Sequence, residues 1–232
     1  MIDLGGTDLY INVPSLPRDE FEHYSTNLFD EWESYVGQIL KIPDYALALE
    51  IEEGSIKVNA KIAAYLTALY FGIGQYGSFI SGAQILLGQI SSASDYLATH
   101  AVAPFSSSKE KPQIKKYSGS LGKLNKLFVK IQQGKITAEQ ALIEAESLFG
   151  DDAESEPNFM SELKTSFENT PTLARQLKLP LSEIENGAFQ EVINKNPRKS
   201  SPKPEQPIGQ QFRVVVWRES KNKKRKVRVI EL

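Results

Sequence analysis

From residue 62 to residue 94 the chain carries no charged side chain, in a protein whose charged residues make up 24% of the total. The run, IAAYLTALYFGIGQYGSFISGAQILLGQISSAS, is apolar nearly all round a helix, and predicts a helical hairpin that is buried in a core or inserted in a membrane. A spanning helix needs about 20 apolar residues. Gln75, Tyr76, Gly77, Ser78 and Gln84 interrupt this run, and an unpaired amide is costly in hydrocarbon. Both settings, a soluble core or oligomer interface and a membrane segment, stay open at this level. Small residues form two rows at helical spacing, Ala64/Ala68/Gly72 and Gly74/Ser78/Gly82, each of which admits another backbone closely. Gly72, Gly74, Ser78 and Gly82 are therefore the expected assembly interface. Gly72, Gly74 and Gly77 are the expected helix break, because glycine costs about 1 kcal/mol inside a helix.

Composition excludes several chemistries. The absence of cysteine removes disulfides, thiolate zinc sites and cysteine nucleophiles. His23 and His100 are the only histidines and have no metal-ligand spacing, so no metal site is expected. The sequence holds no GxxxxGK[ST], no GxGxxG after a strand, no GxSxG and no HExxH, and its acidic residues read as solvated helix and turn positions. No catalytic residue and no cofactor are assigned, and the chain is not expected to be an enzyme. The first residues, MIDLGGTDLYINVPSL, lack a basic region followed by an apolar core, so no secretory signal is expected and the location read from them is cytoplasmic, with membrane association still open.

Charge is unevenly spread. Residues 1–55 hold twelve Asp or Glu against Arg18 and Lys41, whereas residues 198–232 hold eleven Lys or Arg against Glu205, Glu219 and Glu231. The two ends attract each other.

Residues 9–13, LYINV, read as a strand, and Pro14 and Pro17 break it before a helix in which Phe21, Tyr24, Leu28, Trp32, Val36 and Ile39 share one face. That helix has an acidic outer face of Glu22, Asp30, Glu31 and Glu33. Residues 45–51 and the IKV after them read as two strands turning at Glu53 and Gly54. Residues 104–116 read as a polar, proline-punctuated linker. Beyond it, Leu121, Leu124, Phe128 and Ile131 make an amphipathic helix ended by Gly134. Thr137 and Gln140 form a capping box for the next helix, which Gly150 closes, and 159–168 make a third. Residues 194–211 are proline-rich and polar and read as a tether. The tail, 212–232, reads as a β-hairpin with a basic tip, where Lys221, Lys223, Lys224, Arg225, Lys226 and Arg228 form an electrostatic latch or an anion contact. An isolated hairpin is marginal in water, so it is expected to pair with a sheet edge of this chain or of a partner. Because no aromatic residue interleaves the basic tip, base stacking is not indicated there and nucleic acid ranks below a protein partner.

Residues 47–55, LALEIEEGS, the apolar run after them and YGSFISG at 76–82 resemble a pattern in small bacterial proteins likened to TRADD-N-type adaptor domains of conflict and immunity systems. The resemblance covers roughly the first 100 residues. It implies a compact β-α-β-β unit followed by a membrane-like helical segment, in an adaptor or effector of antiviral defence or programmed cell death that acts by assembly.

The fold expected is α+β: an acidic β-α-β-β unit with a long apolar helical segment (1–103), a mainly α-helical domain (117–193), a linker (194–211) and a basic β-hairpin (212–232). The function expected is that of a non-enzymatic adaptor or effector that assembles with itself or with a protein partner through β-addition of the hairpin. The alternative is a DNA-binding regulator using a helix-turn-helix-like segment at 172–190, and a second alternative is an uncharacterised hydrolase.

Overall fold

The strands are β1 (Ile2–Ile11), β2 (Ala46–Glu52), β3 (Ile56–Ala64), β4 (Gln113–Tyr117), β5 (Phe212–Arg218) and β6 (Lys226–Glu231), and in β2, β3 and β5 buried residues alternate with more exposed ones at period 2. In the computed structural model, which describes residues 1–13, 15–105, 112–172 and 212–232, these strands form one antiparallel sheet in the order β4-β1-β3-β2-β5-β6. Helices α1 (Arg18–Ile39), α2 (Leu66–Gly74), α3 (Phe79–Val102), α4 (Gly119–Gln132), α5 (Ala138–Phe149) and α6 (Pro157–Glu168) complete a mixed α and β fold.

The chain opens β1-α1-β2-β3, and the inward side chains Leu9, Ile11, Leu49, Ile51, Val58, Val214 and Val216 form one buried cluster with Phe29, Trp32, Leu86, Leu97, Leu124 and Phe128. Within that cluster α1 is clamped to α3. Trp32 Nε1 donates to the Ala93 carbonyl at 3.1 Å, the Tyr24 hydroxyl donates to the Ala101 carbonyl at 2.9 Å, and Tyr35 stacks on Tyr96 with ring centroids 4.1 Å apart. Burial raises the Tyr24 phenol above its ordinary value. The β2–β3 turn contains Gly54 at φ 87°, a region glycine enters without steric cost. Beside it Glu53 is buried rather than solvated: it accepts from the Ser15 hydroxyl, and its N–H donates to the Phe212 carbonyl at 3.1 Å.

Three expectations are corrected. The stretch 62–94 is not one long apolar helical segment. Ile62 to Ala64 finish β3, α2 stops at Gly74, Gly77 takes φ 78°, and Ser78 caps α3 by accepting from the Ser81 N–H at 3.2 Å. Two glycines and a capping serine divide the run, and no helix among the described residues is long and apolar enough to cross a membrane. Residues 113–117 form an edge strand rather than linker, paired with β1 from Gly6 opposite Tyr117 to Tyr10 opposite Gln113. Strand β1 itself starts at Ile2, seven residues before the run legible in sequence, and carries a bulge between Asp3 and Gly5. The helix-turn-helix-like segment after Thr172 and the tether 194–211 lie outside the described residues.

Trp32 is 2% exposed and holds both a packing and a hydrogen-bonding role. Trp32→Ala is expected to cost about 3–5 kcal/mol, read as a lowered urea midpoint with an unchanged slope.

Candidate functional site

The four residues of the expected assembly interface separate into two environments. Gly72 and Gly82 face inward: a Cβ on Gly82 would stand 2.3 Å from the Ile73 carbonyl oxygen, and one on Gly72 would stand 3.1 Å from Ile42 Cγ1 and the Lys41 carbonyl. Their smallness lets α2 lie against α3 and against the end of α1, inside the molecule. Gly74 and Ser78 are exposed, and a Cβ on Gly74 would meet nothing within 4 Å.

Around Gly74 and Ser78 lies a surface that sequence spacing did not single out. Over the first part of α3 the exposed residues Ser81, Gln84, Ile85, Gly88, Ser91 and Ser92 recur at helical spacing opposite the buried face and none is charged, the stretch ending at exposed Asp95, which pairs with Lys116. On α2 Phe71 is 66% exposed, and on α3 Ile85 is 41% exposed. Gly88 sits mid-helix with nothing within 4 Å of a built Cβ, so no contact within the chain requires a glycine there. Gln89 of α3 is used internally: it accepts from the Lys41 N–H at 3.1 Å and donates to the Tyr76 hydroxyl at 3.0 Å.

The basic hairpin lies beside the acidic face of α1. Arg225 pairs with Asp30, and Arg218, at the end of β5, pairs with Glu33, both side chains of that second pair being only 18% exposed. The Lys221 N–H donates to Asp44 Oδ1 at 2.8 Å, and its ammonium stands 5.9 Å from the Tyr45 ring centre. Lys226 and Lys223 grip Glu219 at 2.6 and 3.1 Å, while Lys224 and Arg228 make no ion pair among the described residues. Further along the seam Arg213 binds Glu50 at 2.8 Å and also Glu52, and Arg18 binds Glu231 at 3.6 Å.

No family model, curated protein or solved structure matches the chain. The site is therefore read from its own geometry.

Among the described residues no three His, Cys, Asp or Glu side chains are grouped to hold a metal. Among the described residues two carboxylates are perturbed, Glu219 by lysines of the basic hairpin and Glu52 by Lys57 on β3 and Arg213 on β5. Hydrogen bonds from Lys226 and then Lys223 hold the Glu219 carboxyl down to about 2. Burial works to raise Glu52, but the hydrogen bonds and charges of Lys57 and Arg213 outweigh it and leave the group below its usual range.

Two tests follow from these placements. Gly82→Ala is expected to destabilise the protein by about 1–3 kcal/mol through overpacking against Ile73, whereas Gly88→Ala is expected to stabilise the isolated chain by up to about 1 kcal/mol through helix propensity; thermal melts at low protein concentration distinguish them. Because Glu219 has a folded-state value below its unfolded one, its contribution to stability is present above the ordinary carboxylate range and fades as pH falls toward about 2. The Glu219 carboxyl carbon is expected to titrate near 2 by NMR, and Glu219→Gln to flatten the acid limb of the stability curve.

Proposed function

We propose that the protein is a non-enzymatic adaptor or effector that works by self-assembly through the exposed face of α2 and α3. The observation that carries the reading is the charge-free exposed face with Phe71 at 66% exposure and Gly88 in open space. A solvent-facing helix normally mixes both signs of charge, and exposed apolar patches mark contacts. Two such faces brought together lose no charged hydration, and small residues at Gly74, Ser78, Ser81 and Gly88 let the backbones come close. The contact surface is thus the outward neighbour of the sequence-spaced row: Gly74 and Ser78 stay in it, while Gly72 and Gly82 serve the packing beneath.

The hairpin offers a second surface. With β5 paired to β2, the outer edge of β6 has no strand partner among the described residues and offers an edge for β-addition by a partner strand. The resemblance of 47–55 and 76–82 to TRADD-N-type bacterial immunity proteins points the same way, toward an adaptor in antiviral defence. Exposed Phe71 also suits the headgroup region of a bilayer, so the same face supports membrane contact as a second reading.

Light scattering of the purified protein tests the assembly. The wild type is expected to form a dimer or larger species, and Gly88→Leu and Phe71→Ser to return it to the size of one chain with folding intact by circular dichroism. A wild type of one-chain mass, or an assembly unchanged in both variants, overturns the reading. Co-sedimentation with vesicles that is lost in Phe71→Ser, without any change of solution size, favours membrane contact instead.

A further inference from the structure

One face of the sheet carries no helix among the described residues, and the strand register lays a single row of side chains across it. Tyr117 stands opposite Gly6, Gly6 opposite Lys61, Lys61 opposite Ala48, Ala48 opposite Trp217, and Trp217 opposite Lys226. Neighbouring strands are about 4.8 Å apart, so the two aromatic rings are roughly 19 Å apart with a lysine midway. Gly6 and Ala48 put nothing tall between them. The row contains no carboxylate.

The neighbouring row ends in two more cations, Lys115 on β4 and Arg228 on β6. Lys115 stands 5.0 Å from the centre of the Tyr117 ring. The carboxylates on this side of the sheet are already engaged. Asp8 accepts from Asn59 at 2.6 Å and from the Tyr117 hydroxyl, and Asp3 accepts from the Gly5 N–H at 2.9 Å. Glu50 and Glu52 share Arg213, and Glu219 holds Lys226 and Lys223. Lys61, Lys115 and Arg228 have no carboxylate partner among the described residues. Two concavities run along the face, one of about 660 Å³ bordered by Lys57, Lys61 and Lys115 together with the engaged carboxylates Asp8, Glu50 and Glu52, the other of about 440 Å³ bordered by Ala48, Val215, Trp217, Arg228 and the ion-paired Glu219.

We propose that this face binds single-stranded nucleic acid, with bases stacked on Trp217 and Tyr117 and phosphates drawn to Lys61, Lys115 and Arg228. A shelf of spaced rings between cations is what an unpaired strand needs: every base has a π-face to stack, and the backbone follows the positive charge. A duplex keeps its bases stacked on one another and has none to offer the rings. The basic hairpin tip has no aromatic residue of its own, but strand pairing places Trp217 beside Lys226, and a strand distant in sequence supplies Tyr117. The site lies across the sheet from the helices and is independent of the assembly face.

The test uses the full chain and a fluorescein-labelled oligothymidylate, followed by anisotropy at about 50 mM and about 200 mM salt. Binding is expected to saturate and to weaken with salt, with a logarithmic slope near −0.7 for each phosphate neutralised. Trp32 is buried and Trp217 is the second of the two tryptophans, so binding is also expected to quench the emission of Trp217. Lys61→Glu, at an exposed position that leaves folding intact, and Trp217→Leu are each expected to weaken binding roughly tenfold or more, while Trp217→Phe retains most of it. Absence of binding at micromolar protein, affinity unchanged in Lys61→Glu and Trp217→Leu, or capture of duplex or of phosphatidylserine vesicles in place of the single strand each overturns the proposal.

Discussion

The pairing of β2 with β5 joins residues more than 160 positions apart, as the Arg213–Glu52 bond across it records, and the rest of the structure depends on that seam. Strand β5 brings Val214 and Val216, both fully buried, against the same cluster that holds α1. Without it β2 would be an edge, Leu49 and Ile51 would lose one wall, and the acidic side of α1 would have no counter-charge. Hydrophobic burial drives the seam closed. The flanking pairs Arg218–Glu33 and Arg213–Glu50 select its register, because sliding the strand by one residue would turn Val214 and Val216 outward, carry Arg218 with them away from Glu33, and turn Arg213 inward.

The seam also explains how two surfaces of different character arise on one small fold. All the layered helices lie on the side where β5 buries its valines, so α3 can turn one stripe to the sheet and leave the other bare. The remaining side of the sheet is left with alternate residues that were free to be polar, aromatic or basic. Neither surface is needed to bury the core.

Local signals were legible where the residue itself dictates the backbone. The capping box is present as read, with Thr137 accepting from the Gln140 N–H at 3.2 Å and the Gln140 side chain accepting in return at 3.0 Å. Gly54, the apolar period of α1 and the separation of α2 from α3 at the glycine cluster are of the same kind. What escaped reading depends on neighbours. Strand β4 is exposed throughout and has no alternation of its own to betray it, since only β1 makes it a strand. Glycines and a bulge hid the first half of β1. At the candidate interface, spacing placed Gly72, Gly74, Ser78 and Gly82 on shared rows, but which of them face inward was decided by the crossing of α2 over α3, a tertiary event. Gly88 lies off those rows, and its significance emerges only once its surroundings are known to be empty.

Each margin of the sheet carries a cation without an ion pair among the described residues, Lys115 on β4 and Arg228 on β6. Two molecules approaching margin to margin would therefore set cation against cation before any backbone bond could form. Such like-charged edges oppose the open-ended, fibre-like extension to which an uncovered antiparallel sheet is prone. Any higher order that this protein reaches is thereby steered away from its strands and toward closed contacts made by its helices.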